Sequence, residues 1–182
     1  SRHGKPVPMS KRQGEFITLR EVIDEVGKDA ARFFFLMRKT DSHLDFDLEL
    51  AKRQTPDNPV YYIQYAHARI SSILKFKEEK SLNFNFEKAK LEFLKSEEEL
   101  NLMSILNRFP LAVRYSAIEL EPYRIVNYLI ELATTFHSFY TKHRVVTDDV
   151  ALSEARLVLC ECVRIVLNIG LKLLGVSAPE KM

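Results

Sequence analysis

The segment formed by residues 8–14 places Lys11 and Arg12 side by side between a proline and a glycine, residue types that interrupt regular secondary structure. The lysine offers a compact positive charge that suits phosphate oxygens. In phosphoryl and nucleotidyl transfer, the protein mostly supplies such charge where negative charge builds up. An arbitrary Lys-Arg pair in a loop is more often solvated surface. The position of this loop directly before a capped helix adds weight to a phosphate-binding role, and both interpretations stay open at this point.

A second group of residues combines aromatic rings with a cation at helical spacing. Tyr61, Tyr65 and Arg69 follow one another at intervals of four residues, and at roughly 100° per residue they fall within an arc of about 80° on a helix. Such a row offers flat surfaces to unstacked bases and a positive charge to phosphate. The tyrosines could equally close the rim of a helical bundle with their hydroxyls in water. The spacing alone leaves both interpretations open.

The segment 136–145 ends another predicted helix with aromatic and basic residues. Phe136 and Phe139 continue an apolar stripe, so we expect both in the core, whereas Tyr140 falls in the last turn, where its ring can be half packed and half presented. His137 and His143 lack the four-residue spacing of a helical zinc pair, so no metal site is predicted.

Length and composition describe an ordinary globular chain. It has 182 residues, of which 46% are hydrophobic and 29% charged, and its five glycines are few, which favours helices over sheet. No apolar run reaches the roughly 18 residues that a membrane span needs. Cys160 and Cys162 cannot form a disulfide framework, and a reducing cytosol is the simplest setting. Residues 1–20 hold five basic residues and one acidic residue, so an anionic ligand is expected near this end.

Capping signals and proline divide the chain into helices. A capping box begins at Thr18, a second one begins at Ser96, and Gly27 can end the first helix. Asn58 and Pro59 suit the N-cap and the first position of a longer helix, so we place a domain boundary near residue 56. The periodicity predicts two junction helices, up to residue 27 and from 29 to about 39, and then a bundle of five helices over 59–78, 86–95, 97–118, 122–143 and 151–174.

The basic loop resembles the KMSKS loop of class I aminoacyl-tRNA synthetases. Met9, Ser10 and Lys11 match its second to fourth positions. Arg12 stands where the final serine would be, and Pro8 replaces the first lysine. By this resemblance, Met9, Ser10, Lys11 and Arg12 would handle ATP, and Lys11 would be the catalytic residue that stabilises its pyrophosphate.

The helix that follows Asn58 makes the resemblance more specific. The string from Asn58 to Ile70 is similar to a characteristic segment of the anticodon-binding domain of arginyl-tRNA synthetases. The string from Asp29 to Arg32 resembles the Asp-Ala-Leu-Arg string of the same family. We expect Asp29 to be the N-cap of the second helix and Arg32 to pair across the junction.

The resemblance implies an all-α fold in three parts: a KMSKS-like loop segment (1–14), a helical junction (15–55) and an α-helical anticodon-binding domain (56–182). The parent enzyme would join arginine to its tRNA with ATP and Mg²⁺ in the cytoplasm. The sequence holds no HIGH motif and no nucleotide-binding α/β domain. This chain is therefore not expected to aminoacylate or to carry a cofactor by itself. Its expected partners are tRNA(Arg) and an N-terminal catalytic domain, and no membrane is expected.

The same resemblance assigns residues to the anticodon. Arginine tRNAs carry C at the middle anticodon position, and a splayed cytosine offers an amine donor and two acceptors. We predict an aromatic platform for this base, flanked by Tyr140 and Met182, with backbone carbonyls near the C-terminus accepting from the amine. The partly apolar last residues are expected to dock. The residues assigned to anticodon binding are Tyr61, Tyr65, Arg69, Tyr140, Arg144 and Met182.

Two alternatives keep the helical fold but change the function. The chain could be the C-terminal piece of another class I synthetase, such as the cysteinyl type, although the string from Tyr65 to Arg69 and the closing methionine argue against this. It could also be a helical protein-interaction bundle, which would bury the face from Tyr61 to Arg69 against protein and would bind with little dependence on salt.

Overall fold

The computed structural model describes residues 18–39, 42–43, 45–79 and 86–182. The predicted ATP loop, Met9 to Arg12, lies outside these residues. In the described part the chain forms helices and no strand, and none of these helices is long and apolar enough to cross a membrane. The α-helices described are α1 (Leu19–Val26), α2 (Lys28–Leu36), α3 (Leu48–Lys52), α4 (Pro59–Glu79), α5 (Glu97–Asn107), α6 (Phe109–Ile118), α7 (Tyr123–Lys142) and α8 (Val150–Leu173).

Helix α7 is central, since it packs against α4, α5, α6 and α8. Phe136 and Phe139 are fully buried, which confirms their predicted place in the core. Helix α2 of the junction contributes Phe33 and Phe34 to the same apolar cluster. The junction and the bundle therefore share one hydrophobic core, and burial of this apolar surface is the main favourable term that holds them together.

The predicted helix starts are confirmed by hydrogen bonds. Thr18 and Ser96 both form complete capping boxes, and Gly27 ends α1 with a φ of 83°. The Oδ1 atom of Asn58 accepts from the Val60 N–H, and its Nδ2 donates to the carbonyl oxygens of Ala51 and Arg53. Asn58 is buried, so it both caps α4 and fastens the end of the junction to the bundle.

Two predicted helices differ from those observed. The segment 97–118 is not one helix, because α5 ends at Asn107 and α6 begins at Phe109. Arg108 lies between them, and its N–H donates back to the Ile105 and Leu106 carbonyl oxygens. Pro110 has no N–H to continue the helix of the preceding turn, which accounts for the break. The segment 86–95 is wrong as a helix, since it holds two short 3₁₀ turns, Phe86–Lys88 and Leu91–Phe93. Residues 91–93 are exposed, so this turn has no buried apolar face that would favour a longer helix, although Leu94 directly after it is buried.

The structure corrects the predicted role of Asp29 and shows which partner Arg32 has. Helix α2 begins at Lys28 with Gly27 as its N-cap, so Asp29 is already inside the first turn. Its carboxylate accepts from Ser177 and Gln64, and the Arg32 Nε donates to the Leu174 carbonyl. Both side chains therefore form hydrogen bonds with the end of α8 and with the residues that follow it.

The last eight residues, 175–182, form a C-terminal tail that docks on the bundle as predicted. Val176 is buried, and the His67 Nδ1 donates to the Pro179 carbonyl over 2.8 Å. Lys75 pairs with Glu180 over 2.6 Å. The tail is therefore fastened along α4 by an apolar anchor and by polar contacts, and it does not fray as a free terminus would.

Candidate nucleic-acid interface

One side of α4 remains accessible between two neighbours. Ile63, Ala66 and Ile70 point into the core and are fully buried. Tyr65 lies on the opposite side, 38% exposed, and Arg69 one turn later is also exposed. The C-terminal tail covers one flank of this strip and α7 covers the other. The helical spacing that predicted a separate aromatic face is thus confirmed.

Aromatic rings form a continuous row along this strip. The rings of Tyr61 and Tyr65 lie 6.2 Å apart and nearly parallel, with 10° between their planes. The Tyr65 ring then stacks on His137 of α7 at 5.8 Å, and His137 also contacts Tyr62 at 4.5 Å. Ring separations in this range are typical of favourable aromatic pairs. The row is therefore held in place by packing on both helices, and Tyr65 still presents part of its ring to solvent.

Tyr140 and Arg69 continue the row towards the middle of α4. The Arg69 guanidinium lies 4.9 Å from the centre of the Tyr140 ring, a cation–π distance. Both side chains line a cavity of about 390 Å³. The other residues that line it are Ser72, Ile73, His143, Arg144, Val145 and Val146.

Met182 lies at the other end of the strip. It is 54% exposed and lines a larger cavity, of about 680 Å³, together with Tyr61 and Gln64 of α4 and several junction residues. The structure therefore brings Arg69, Tyr140 and Arg144 together in one cavity and Tyr61 and Met182 in another, with Tyr65 in ring contact with Tyr61. That Tyr140 and Met182 flank the same base stays a prediction.

His137 is a functional candidate that sequence reasoning treated only as a possible metal ligand. Its position three residues before Tyr140 puts both rings on the same side of α7, which was the available signal. Burial lowers the pKa of His137, and the nearby Arg69 charge lowers it further, although a backbone hydrogen bond at Tyr62 opposes this. The imidazole is therefore neutral at neutral pH and can stack in the row without adding charge.

A buried ion pair holds the segment that carries Arg144. The Arg156 Nε donates to Glu99 over 2.7 Å, and its Nη1 donates to the Arg144 carbonyl over 2.7 Å. A guanidinium only donates, so the His143 Nδ1, 3.3 Å from the Arg156 Nη2, is the acceptor in that contact. The other ring nitrogen, Nε2, then carries a proton and donates to Glu98 over 3.0 Å. The backbone at residues 143–146 is thereby fixed beside the smaller cavity.

Replacing Glu98 with glutamine should reduce stability at neutral pH, and the reduction should shrink in acid. Hydrogen bonds from Lys142 and His143 lower the pKa of Glu98 from 4.5 to about 2. A carboxylate whose pKa falls on folding stabilises the folded state above its ordinary pKa, and this is lost as the pH falls through the folded value. Thermal unfolding between neutral pH and about pH 2 measures the difference. Glu97→Gln, on the same helical turn, is the control, and a difference that does not depend on pH would contradict the prediction.

Comparison with known proteins identifies the bundle. Residues 63–182 match the model of the DALR anticodon binding domain. The chain is 57% identical over its whole length to the arginine–tRNA ligase of Citrifermentans bemidjiense and 56% identical to that of Geobacter sp. strain M21. In both cases it spans 33% of the relative, so the chain is about a third as long as the curated proteins that it matches.

Solved structures agree with this match. A crystal structure from Campylobacter jejuni that is described as an arginyl-tRNA synthetase superposes with a TM-score of 0.86 at 31% identity, over all of this chain and 38% of that one. The arginyl-tRNA synthetase of Thermus thermophilus gives a TM-score of 0.74 at 28% identity, over 96% of this chain and 29% of that one. With the family model covering most of its residues, this chain belongs to the family of DALR anticodon-binding domains.

Proposed function

We propose that the chain is the C-terminal, anticodon-binding part of an arginyl-tRNA synthetase, and that the strip on α4 receives the anticodon of tRNA(Arg). The complete enzyme would ligate arginine to this tRNA with ATP, in the cytoplasm. The observation that carries the proposal is the ring row of Tyr61, Tyr65 and His137, which leads to the cation–π pair of Arg69 and Tyr140. The likeness to arginine–tRNA ligases over the whole chain supports the choice of amino acid.

Each part of the strip suits one part of an anticodon loop. Stacking on an aromatic side chain stabilises an unstacked base without regard to its identity. Arg69 and Arg144, both exposed, offer charge to the phosphates. Discrimination of the middle cytosine requires acceptors for its amine, and we assign these to the backbone of the C-terminal tail, which ends beside Tyr61.

The ATP loop belongs to the same proposal. Lys11, with Met9, Ser10 and Arg12, would face the ATP phosphates in the complete enzyme, where Mg²⁺ would supply further charge neutralisation. The chemistry of the residues supports this, since lysine is suited to phosphate oxygens and arginine can bind them through two donors.

A titration with RNA at several salt concentrations tests the proposed function. Intact tRNA(Arg) should bind more tightly than a transcript in which the middle anticodon C is changed, by about 1–3 kcal/mol. Equal binding of both transcripts would favour another class I synthetase, and binding that salt does not weaken would favour a protein-interaction bundle.

Arg69→Gln should reduce the slope of the logarithm of the binding constant against the logarithm of the salt concentration by about one, because one phosphate contact is lost. The control is Arg114→Gln, an exposed arginine on α6.

Tyr65→Ala should weaken tRNA binding by about 1–3 kcal/mol, because one base would lose its stacking partner. Tyr65→Phe should retain most of the affinity, since the ring and not the hydroxyl is proposed to act. Fluorescence anisotropy of labelled tRNA(Arg) measures both variants. Tyr115→Ala is the matched control, since this tyrosine on α6 is 52% exposed but lies outside the strip. If Tyr65→Ala and Tyr115→Ala bind alike, the strip is not the binding surface.

A further inference from the structure

We propose that Asp29 and Arg32 of α2 are positioning residues of the anticodon site, which act by clamping the C-terminal tail into its docked conformation. The proposal rests on the proposed function and adds to it two residues that lie far from the strip in sequence. Asp29 and Ser177, which meet in this clamp, are 148 positions apart along the chain.

The carboxylate of Asp29 gathers donors from the tail and from α4. Its Oδ2 accepts from the Ser177 N–H over 3.2 Å, from the Ser177 hydroxyl, and from the Gln64 Nε2 over 3.1 Å. Gln64 also donates to the Ser177 carbonyl over 3.0 Å. Ser177 is thus held through its backbone N–H, its carbonyl and its side chain. Hydrogen bonds to an ionised acceptor are stronger than those between neutral groups, which suits a clamp near solvent.

Arg32 fixes the tail where it leaves α8. Its Nε donates to the Leu174 carbonyl, one of the carbonyl groups that a helix leaves without an internal partner at its C-terminus. The positive guanidinium also complements the negative end of the α8 dipole. Gly175 follows with a φ of 68°, and a Cβ there would come within 2.6 Å of the Arg32 Nε. The chain therefore turns directly over the guanidinium, and only a glycine allows this approach without displacement.

The clamp determines where the tail ends. Leu174 and Val176 are buried on either side of the turn, and Ser177 then stands next to Gln64. Gln64 lines the larger cavity together with Tyr61 and Met182. Without Asp29 and Arg32, residues 177–182 would keep the contacts of Ser177 with Gln64, of Pro179 with His67 and of Glu180 with Lys75, but would lose every contact with α2 that fixes the start of the tail. The tail carbonyls proposed to read the middle cytosine would then lose their fixed position.

Two variants break the clamp from opposite sides. Asp29→Ala removes the acceptor, and Ser177→Ala removes the tail hydroxyl. The matched control is Asp24→Ala on α1, an exposed aspartate that lies 3.5 Å from Arg20 of the same helix and takes no part in the clamp. All are made in the 182-residue chain. Binding is measured with tRNA(Arg) and with a transcript whose middle anticodon base is U, and folding is checked by thermal unfolding.

Asp29→Ala and Ser177→Ala should each lower the affinity for tRNA(Arg) on the order of tenfold, with little loss for the U transcript, so that discrimination falls. Asp24→Ala should keep the discrimination of the unmodified chain. In a chain that ends at Val176, Asp29→Ala should cause no further loss, because it acts through the missing tail. A loss of the same size in the shortened chain would overturn the proposal, since Asp29 would then contact RNA directly or act through the fold.

Digestion with carboxypeptidase tests the clamp without RNA. Both clamp variants should release the last residues several-fold faster than Asp24→Ala under native conditions, because local opening exposes the tail. Equal release would overturn the clamp even if RNA binding changed. A different outcome is that both clamp variants release residues faster but the unmodified chain does not discriminate the middle base. This would contradict the proposed function and the positioning role that rests on it, and it would still support the clamp.

Discussion

Replacement of Glu99 with alanine should lower the free energy of unfolding by about 3–5 kcal/mol, because it leaves the charge of Arg156 buried without its partner. The Glu99 side chain is 2% exposed and that of Arg156 is 10% exposed. Glu99 also accepts from the backbone N–H groups of Lys95 and Ser96, over 2.8 and 2.9 Å. One substitution would therefore break the capping box of α5 and the ion pair to α8 together.

Denaturation with urea or heat measures this loss. For a chain of this size, it corresponds to a fall in melting temperature of roughly 6–20 °C. Burial opposes ionisation of Glu99, but the hydrogen bonds from Ser96 and Arg156 outweigh it and keep the pKa below its ordinary value. The contribution should therefore be present above the ordinary pKa of 4.5 and be lost as the pH falls below it.

A double replacement separates the charge from the packing. Glu99→Leu with Arg156→Met should recover much of the stability that Glu99→Ala loses, since an apolar pair of similar volume often replaces a buried ion pair at little cost. Glu97→Ala, an exposed neighbour in the first turn of α5, is the control. If Glu99→Ala and Glu97→Ala unfold at the same temperature, the buried pair does not stabilise the bundle as we infer.

Ending the chain after Val176 should weaken tRNA(Arg) binding about 5- to 150-fold, which is roughly the 1–3 kcal/mol of one specifically recognised base. Val176 is kept because it is 4% exposed and belongs to the core, so its removal would confuse a loss of folding with a loss of recognition. The shortened chain should bind the transcript with an altered middle base almost as well as the intact chain does.

The comparison of the two transcripts decides this prediction. A chain that ends at Val176 and still prefers the middle C would place the discriminating acceptors outside the tail. Met182→Ala in the full chain is the milder companion, since it removes one half-exposed side chain and keeps every backbone carbonyl of the tail. A smaller loss for Met182→Ala than for truncation would assign the discrimination to the backbone.

Local signals predicted most of the fold because their physics is local. The capping boxes at Thr18 and Ser96, and the Asn58-Pro59 start of α4, depend on residues at most three positions apart. The apolar periodicity does not predict the break at Arg108, because the pattern continues through it, and the local signal for the break is Pro110. The predicted helix over 86–95 failed because pattern alone does not tell whether a neighbouring element will cover an apolar face.

The candidate site was predictable where it lies on one helix and not where it joins distant segments. The row of Tyr61, Tyr65 and Arg69 follows from the helical period alone. The contact of Asp29 with Ser177 depends on how α2, α4 and the end of α8 meet, which no local pattern encodes. The local pattern therefore predicts a helix N-cap at Asp29, whereas its carboxylate accepts hydrogen bonds from Gln64 of α4 and from Ser177 of the tail.

The buried amide of Asn58 couples the start of α4 to the end of the junction. Its hydrogen bonds cross the turn to Ala51 and Arg53, and Phe33 and Phe34 share the bundle core, so the junction is attached to α4 by polar and apolar contacts. Helix α4 has 21 residues, which is about 30 Å at 1.5 Å per residue. A tilt of about 5° at one end would thus displace the other by about 3 Å. We expect a tilt of α4 to carry the end of the junction with it, because the Asn58 amide donates to the carbonyl oxygens of Ala51 and Arg53.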